Sequence, residues 1–215
     1  KTTTASCGAP SGGRPGRRTW AGLKRDLRHG DAMGSLANGL AGVENFEGQL
    51  AVLESKLDSD RRNNFSSLGT EQGIANCLSE LGRNDESLKR YRQIHKELVR
   101  NGESHFDTLS VANNILMDLL SLRKYSEAQD FAREQVDITR RALGAEHKLT
   151  LSFQEDLANA ILRGDASSEE KRGALEMLED TVRVMRRVLG NSHPEVRRAK
   201  DDLDWHRTNL RLPTA

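Results

Sequence analysis

Six histidines are the side chains here best suited to chemistry, because a neutral imidazole both ligates metal ions and moves protons near neutral pH. Three of them recur in one setting: Asn101-Gly102-Glu103-Ser104-His105, Leu143-Gly144-Ala145-Glu146-His147 and Leu189-Gly190-Asn191-Ser192-His193. Each follows its glycine by three residues, and the glycines are 42 and then 46 residues apart. A metal or proton-transfer site needs groups that converge on one point, whereas this spacing spreads them along a periodic structure. The other histidines, His29, His95 and His206, stand without a cysteine or carboxylate at ligand spacing. Neither Cys7 nor Cys77 has a nucleophile motif around it, and no phosphate-cradling glycine loop follows a strand. The expectation is a protein that is not an enzyme, with no catalytic residues, no metal and no cofactor.

What positions these turns is a repeat, since self-similarity at this period marks stacked supersecondary units. From Phe106 to Leu122, the residues Leu109, Ala112, Ile115, Leu116, Leu119 and Leu122 form the apolar stripe of a helix. From Ser126 to Leu143, Ala128, Phe131, Ala132, Gln135, Ile138 and Ala142 form a second. Shifting by 42 residues brings Asn113-Asn114-Ile115-Leu116 onto Glu155-Asp156-Leu157-Ala158, and a further 46 reaches Asp201-Asp202-Leu203-Asp204. Moving back 41 residues gives Gln72-Gly73-Ile74-Ala75. The four extra residues of the longer interval are assigned to an enlarged loop at Arg163-Gly164-Asp165-Ala166-Ser167-Ser168. An earlier copy, weakened by glycines, spans Leu36 to Leu53.

The turn itself has a mechanical reading. Glycine just past a helix end takes the left-handed conformation without a Cβ penalty. Arg140-Arg141 and Arg186-Arg187 would occupy the preceding last turns, where cations meet the helix dipole. Pro194 suits a first helical position, which puts His193 near an N-cap.

The chain's 33 basic and 32 acidic residues give a net charge of +1, too little to steer it toward nucleic acid or an anionic membrane. No stretch has the roughly 18 to 20 uncharged apolar residues that a membrane helix needs. Residues 1–19 read as a flexible basic arm. Lys1, Arg14, Arg17 and Arg18 lie there among Ser, Thr, Gly and Pro with no acidic residue. The second reading of this arm is the remainder of an organelle transit segment. Two dispersed cysteines favour the cytoplasm or another reducing compartment over the secretory route.

The period alone also admits HEAT or armadillo units. The ordered phrases Asn101-Gly102-Glu103-Ser104-His105-Phe106-Asp107-Thr108-Leu109, Asn113-Asn114-Ile115-Leu116 and Lys124-Tyr125-Ser126-Glu127-Ala128 resemble the 42-residue tetratricopeptide repeat of kinesin light chains. Leu189-Gly190-Asn191-Ser192-His193-Pro194 is similar to its turn. The resemblance implies an all-α fold, a right-handed α-solenoid of antiparallel helix pairs with about three to four repeats and a C-terminal capping helix. The solenoid is expected over residues 20–212, with a degenerate unit at 20–60, units at 61–102, 103–144 and 145–190, and the cap at 191–212. No sustained heptad segment accompanies it, so a motor role is not implied.

In that family the first helices line a concave face whose asparagines hold an extended peptide. Carried over, the face receives Gln72, Asn76, Asn113, Asn114, Met117, Glu155, Asp156, Asn159 and Arg163, of which Asn113 and Asn114 alone match the motif strictly. Amides satisfy both N–H and C=O of a bound backbone. Glu155 and Asp156 would favour a peptide with Lys or Arg at their end. The expected function is a non-catalytic protein-interaction module. The alternative is a permanent subunit of a larger, organellar or other complex. The partner is then a protein or peptide, and the oligomeric state stays open.

Overall fold

The computed structural model describes residues 20–42, 44–102 and 105–210, with the main chain alone at 20–30 and 105. Every regular element among them is a helix: α1 (Trp20–Ala41), α2 (Phe46–Asn63), α3 (Leu68–Glu80), α4 (Asn84–Asn101), α5 (His105–Ser121), α6 (Tyr125–Leu143), α7 (Lys148–Arg163), α8 (Ser168–Leu189) and α9 (Pro194–Asn209). The basic segment 1–19, with Cys7, lies outside the described residues.

Each helix packs on the next, and α5 also touches α7, as α7 touches α9. This is the contact pattern of an all-α solenoid, in which first helices form one layer and second helices the other. The apolar stripes fill two cores. A smaller one holds Ala37, Leu50, Leu53, Leu57, Ile74, Cys77 and Leu78, and a larger one runs from Ala75 to Leu203. Helix α3 divides them, because Ala75 faces one way while Ile74, Cys77 and Leu78 face the other.

The three motif glycines all have positive φ, at 64° for Gly102, 98° for Gly144 and 86° for Gly190. Left-handed helical geometry holds at Gly102 alone. Gly144 and Gly190 have ψ of 162° and 153°, a region that only glycine enters freely. The extended ψ aims each carbonyl at the histidine that follows: the His147 N–H donates to the Gly144 oxygen and the His193 N–H to the Gly190 oxygen. The histidines then act as N-caps. Nδ1 of His147 accepts from the Leu149 N–H, and Nδ1 of His193 from the Glu195 N–H, each at 3.3 Å. Pro194 opens α9, and the arginine pairs occupy the last turns of α6 and α8.

The enlarged loop expected after Arg163 is a correction. Only residues 164–167 separate α7 from α8, and most of the extra length goes into α8, with 22 residues against 19 for α6. A capping box explains this. The Glu170 N–H donates to Ser167 Oγ while Glu170 accepts from the Ser167 N–H, so Ser168, Glu169 and Glu170 become a stable first turn.

Candidate functional site

Helices α5, α7 and α9 together bound a polar trough made of successive depressions. The first, about 200 Å³, lies between Phe106, Ser110, Asn113 and Asn114 on α5, Lys148, Leu149 and Ser152 on α7, and Glu195 and Arg198 on α9. The second, about 160 Å³, is lined by Met117, Leu120 and Ser121, by Glu155, Asp156, Asn159 and Arg163, and by Arg198 and Asp202. A third, about 700 Å³, shares Arg163 and Asp202 with the second and adds Arg123, Tyr125 and Trp205. On α5 the spacing of Phe106, Ser110, Asn113 and Met117 places all four on one helical face. Phe106 is 71% and Met117 40% exposed, so that face is open.

Seven of the nine residues expected on the concave face therefore meet in this trough. Asn113 and Asn114 are half-buried in the first depression; Met117, Glu155, Asp156, Asn159 and Arg163 share the second. Gln72 and Asn76 lie apart on α3, and Asn76 accepts the Tyr91 hydroxyl.

The acidic row is not the free surface that the sequence implied. Glu155, Asp156 and Asn159 are all buried, because α9 packs over them. Lys148 pairs with Glu195 at 2.9 Å, Arg198 donates to Glu155 Oε2 at 3.2 Å, and Arg163 donates to Asp202 at 3.2 Å. Asn159 donates to Asp202 Oδ2 at 3.2 Å, and its Oδ1 meets His206 Nε2 at 3.0 Å. Asp202 cannot donate, so this amide orientation makes Nε2 of His206 the protonated nitrogen. The guanidinium of Arg163 also lies 6.0 Å from the Trp205 ring.

Burial sets the charge states. Desolvation pushes the Asp156 carboxyl up to about 7, the neighbouring Glu155 charge adds to this, and Arg198 opposes it. Glu155 is also raised by burial, with Arg198 pulling it back. Burial pulls His206 down to about 4, assisted by Arg163. Another buried carboxylate, Asp118, is raised by burial and held by Ser79 at 2.9 Å.

Sequence reasoning missed Phe106, Arg198 and Trp205. Shifting by the repeat locates equivalent positions, whereas side chains of neighbouring first helices also meet on either side of those positions. Thus Glu155 repeats as Asp201 but contacts Arg198, which a search one turn N-terminal of each equivalent would have found. Among the described residues no three His, Cys, Asp or Glu side chains are grouped as a metal ion would need. Nor is any helix among them long and apolar enough to cross a membrane.

A tetratricopeptide repeat family model matches residues 108–147 and 166–195. Among solved structures, a point variant of nearly identical TPR-like repeats, from a Podosopora anserina protein described as a kinesin light chain, superposes with a TM-score of 0.66. Identity is 18%, over 83% of this chain and 84% of that one. The same repeats without that substitution score 0.63 at 18% identity, covering 83% and 85%. BtubC (BKLC) from P. vanneervenii scores 0.62 at 17% identity, covering 87% and 80%. No curated protein matches the sequence. At such identities the likeness establishes the fold alone, a helical solenoid of the tetratricopeptide kind, within which the two matched segments are tetratricopeptide repeats.

Proposed function

We propose that the chain is a non-catalytic adaptor that holds an extended polypeptide in the trough over α5, α7 and α9. A tetratricopeptide fold is a protein-interaction module, and the observation that carries the finer reading is the open face of α5. There the half-buried amides of Asn113 and Asn114 sit between two exposed apolar side chains, Phe106 and Met117. Amides pair with a peptide backbone whatever its sequence, and the flanking side chains add apolar contact. From Phe106 to Ser121 the helix rises about 22 Å, which matches about seven extended residues.

The second reading, a permanent subunit of a larger assembly, draws on the far ends of the second helices. Val99, Leu143 and Val188 are each exposed within three residues of a glycine turn, at the ends of α4, α6 and α8. The two readings separate on an array of randomised ten-residue peptides. An adaptor binds a subset, and loses it when Asn113 and Asn114 are both changed to Ala. A chain that binds no peptide, but purifies at fixed ratio with another protein through salt washing, is a subunit instead.

A further inference from the structure

The second depression of the trough holds two buried carboxylates whose hydrogen bonding is incomplete. Glu155 and Asp156 are 0% and 3% exposed, yet Glu155 Oε1 and Asp156 Oδ2 have no hydrogen-bond partner among the described residues. Buried carboxylate oxygens are ordinarily satisfied, since each unpaired one forfeits its hydration for nothing. Cations stand close by but are committed elsewhere. Arg198 donates to the other Glu155 oxygen, and Arg163 donates to Asp202. From α5 the depression receives Met117, Leu120 and Ser121, none of them charged. Asp156 thus lacks a cation of its own, in keeping with its raised carboxyl.

Beside these oxygens in the depression stands Arg198, which bonds the other Glu155 oxygen and whose side chain is 46% exposed although its carboxylate partner is 1% exposed. A half-solvated arginine on a long flexible stem can swing outward without unfolding α9. We infer that the Glu155–Asp156 pair is a seat for the ammonium group of a lysine carried by the bound polypeptide, and that Arg198 is the internal placeholder that lysine displaces. An ammonium offers three donors from one point, enough to serve both orphaned oxygens and replace the contact that Arg198 gives up. Met117 and Leu120 line the approach and would cover the apolar stem. This inference rests on the adaptor reading and specifies which side chain the partner must carry.

The test uses the intact chain and ten-residue peptide arrays in which one position at a time is Lys, acetyl-lysine, Arg, Leu or Glu and the rest are randomised. One position should prefer Lys over acetyl-lysine by about tenfold or more. The Glu155→Gln, Asp156→Asn double variant, nearly isosteric and checked by thermal unfolding, should abolish that preference and keep residual binding. Arg198→Gln should increase the preference, because it removes the competitor. Equal binding of Lys and acetyl-lysine peptides, still sensitive to Asn113 and Asn114, overturns the lysine seat and leaves the groove standing. An unchanged or weaker preference in Arg198→Gln overturns the placeholder role. Absence of binding by any peptide overturns both the seat and the adaptor reading. Free butylammonium should compete only weakly; potency equal to the peptides' would identify a small amine, not a polypeptide, as the ligand and overturn the inference.

Discussion

Asn159 on α7 and His206 on α9 bind side chain to side chain, Oδ1 to Nε2 at 3.0 Å, with both residues buried. The bond welds the last helix to the unit before it. Few apolar side chains do so, for α9 buries only Val196, Ala199 and Leu203 among its hydrophobics. Its docking is thus unusually dependent on polar groups and on their charge states.

The first consequence is a pair of opposed pH dependences. Asp156 has a folded-state value raised to about 7, so its stabilisation is full below the unfolded value of about 4 and is lost as pH rises through 7. His206 is lowered to about 4, so its contribution is full above the unfolded value of about 6.5 and is lost as pH falls toward 4. Between pH 4 and 6.5 the two oppose one another, and each alone would give a slope of up to about 1.4 kcal/mol per pH unit. Urea unfolding should therefore show Asp156→Asn gaining stability as pH rises across this window relative to the parent. His206→Gln should lose it. Parallel curves for parent and both variants would contradict the charge assignments.

Asn159→Ala removes the partner of buried His206 and one of the two donors to Asp202, which keeps Arg163. The abandoned His206 nitrogen costs about 1 to 3 kcal/mol, and the loss should appear in the unfolding midpoint with no peptide present. Asn113→Ala, at a half-exposed position, should shift that midpoint by less than about 0.5 kcal/mol. If the two variants are equally destabilised, the distinction between a docking residue and a binding residue fails.

Gly164 marks a close approach of α7 to α6. A Cβ there would sit 2.9 Å from the Ala160 carbonyl oxygen, 3.0 Å from Gln129 Nε2 and 3.1 Å from Tyr125 Cβ. Its φ of −87° is open to any residue, so the constraint is space. Gly164→Ala should cost about 1 to 3 kcal/mol through overpacking, and Gly164→Val more. A neutral alanine variant in denaturant titration would show that the two helices have room to part.

His147 and His193 serve as caps, which separates them from metal ligands experimentally. His193→Asn should preserve stability, because asparagine also accepts from the first-turn amides, whereas His193→Ala should lose about 0.5 to 2 kcal/mol. Added zinc should leave the melting temperature unchanged in both the parent and the variants. Zinc-dependent stabilisation that disappears in His193→Asn would restore a ligand role.

The repeat, its helices and its turns were legible because each depends on local chemistry: apolar periodicity, glycine past a helix end, proline at the start of α9. The added length of α8 was not, because the Gly/Asp/Ser cluster after Arg163 reads as a loop until Ser167 and Glu170 are seen to cap each other. In the site, Asn113, Asn114 and Met117 could be placed by register alone. The burial of Glu155, Asp156 and Asn159 could not, since it depends on where α9 lies, and the contacts of α9 with α7 fall on both sides of the repeat register. Arg198, on which the electrostatics of the site depend, resembles any other surface arginine in the sequence.

The central claim, that the trough over the first helices is the binding surface, is tested most directly by photo-crosslinking. A peptide selected on the array, carrying benzoylphenylalanine at each position in turn, should label α5, α7 and α9 around Phe106, Asn113, Met117 and Arg198. Labelling confined to α4, α6 and α8, or to residues beside Val99, Leu143 and Val188, would contradict it.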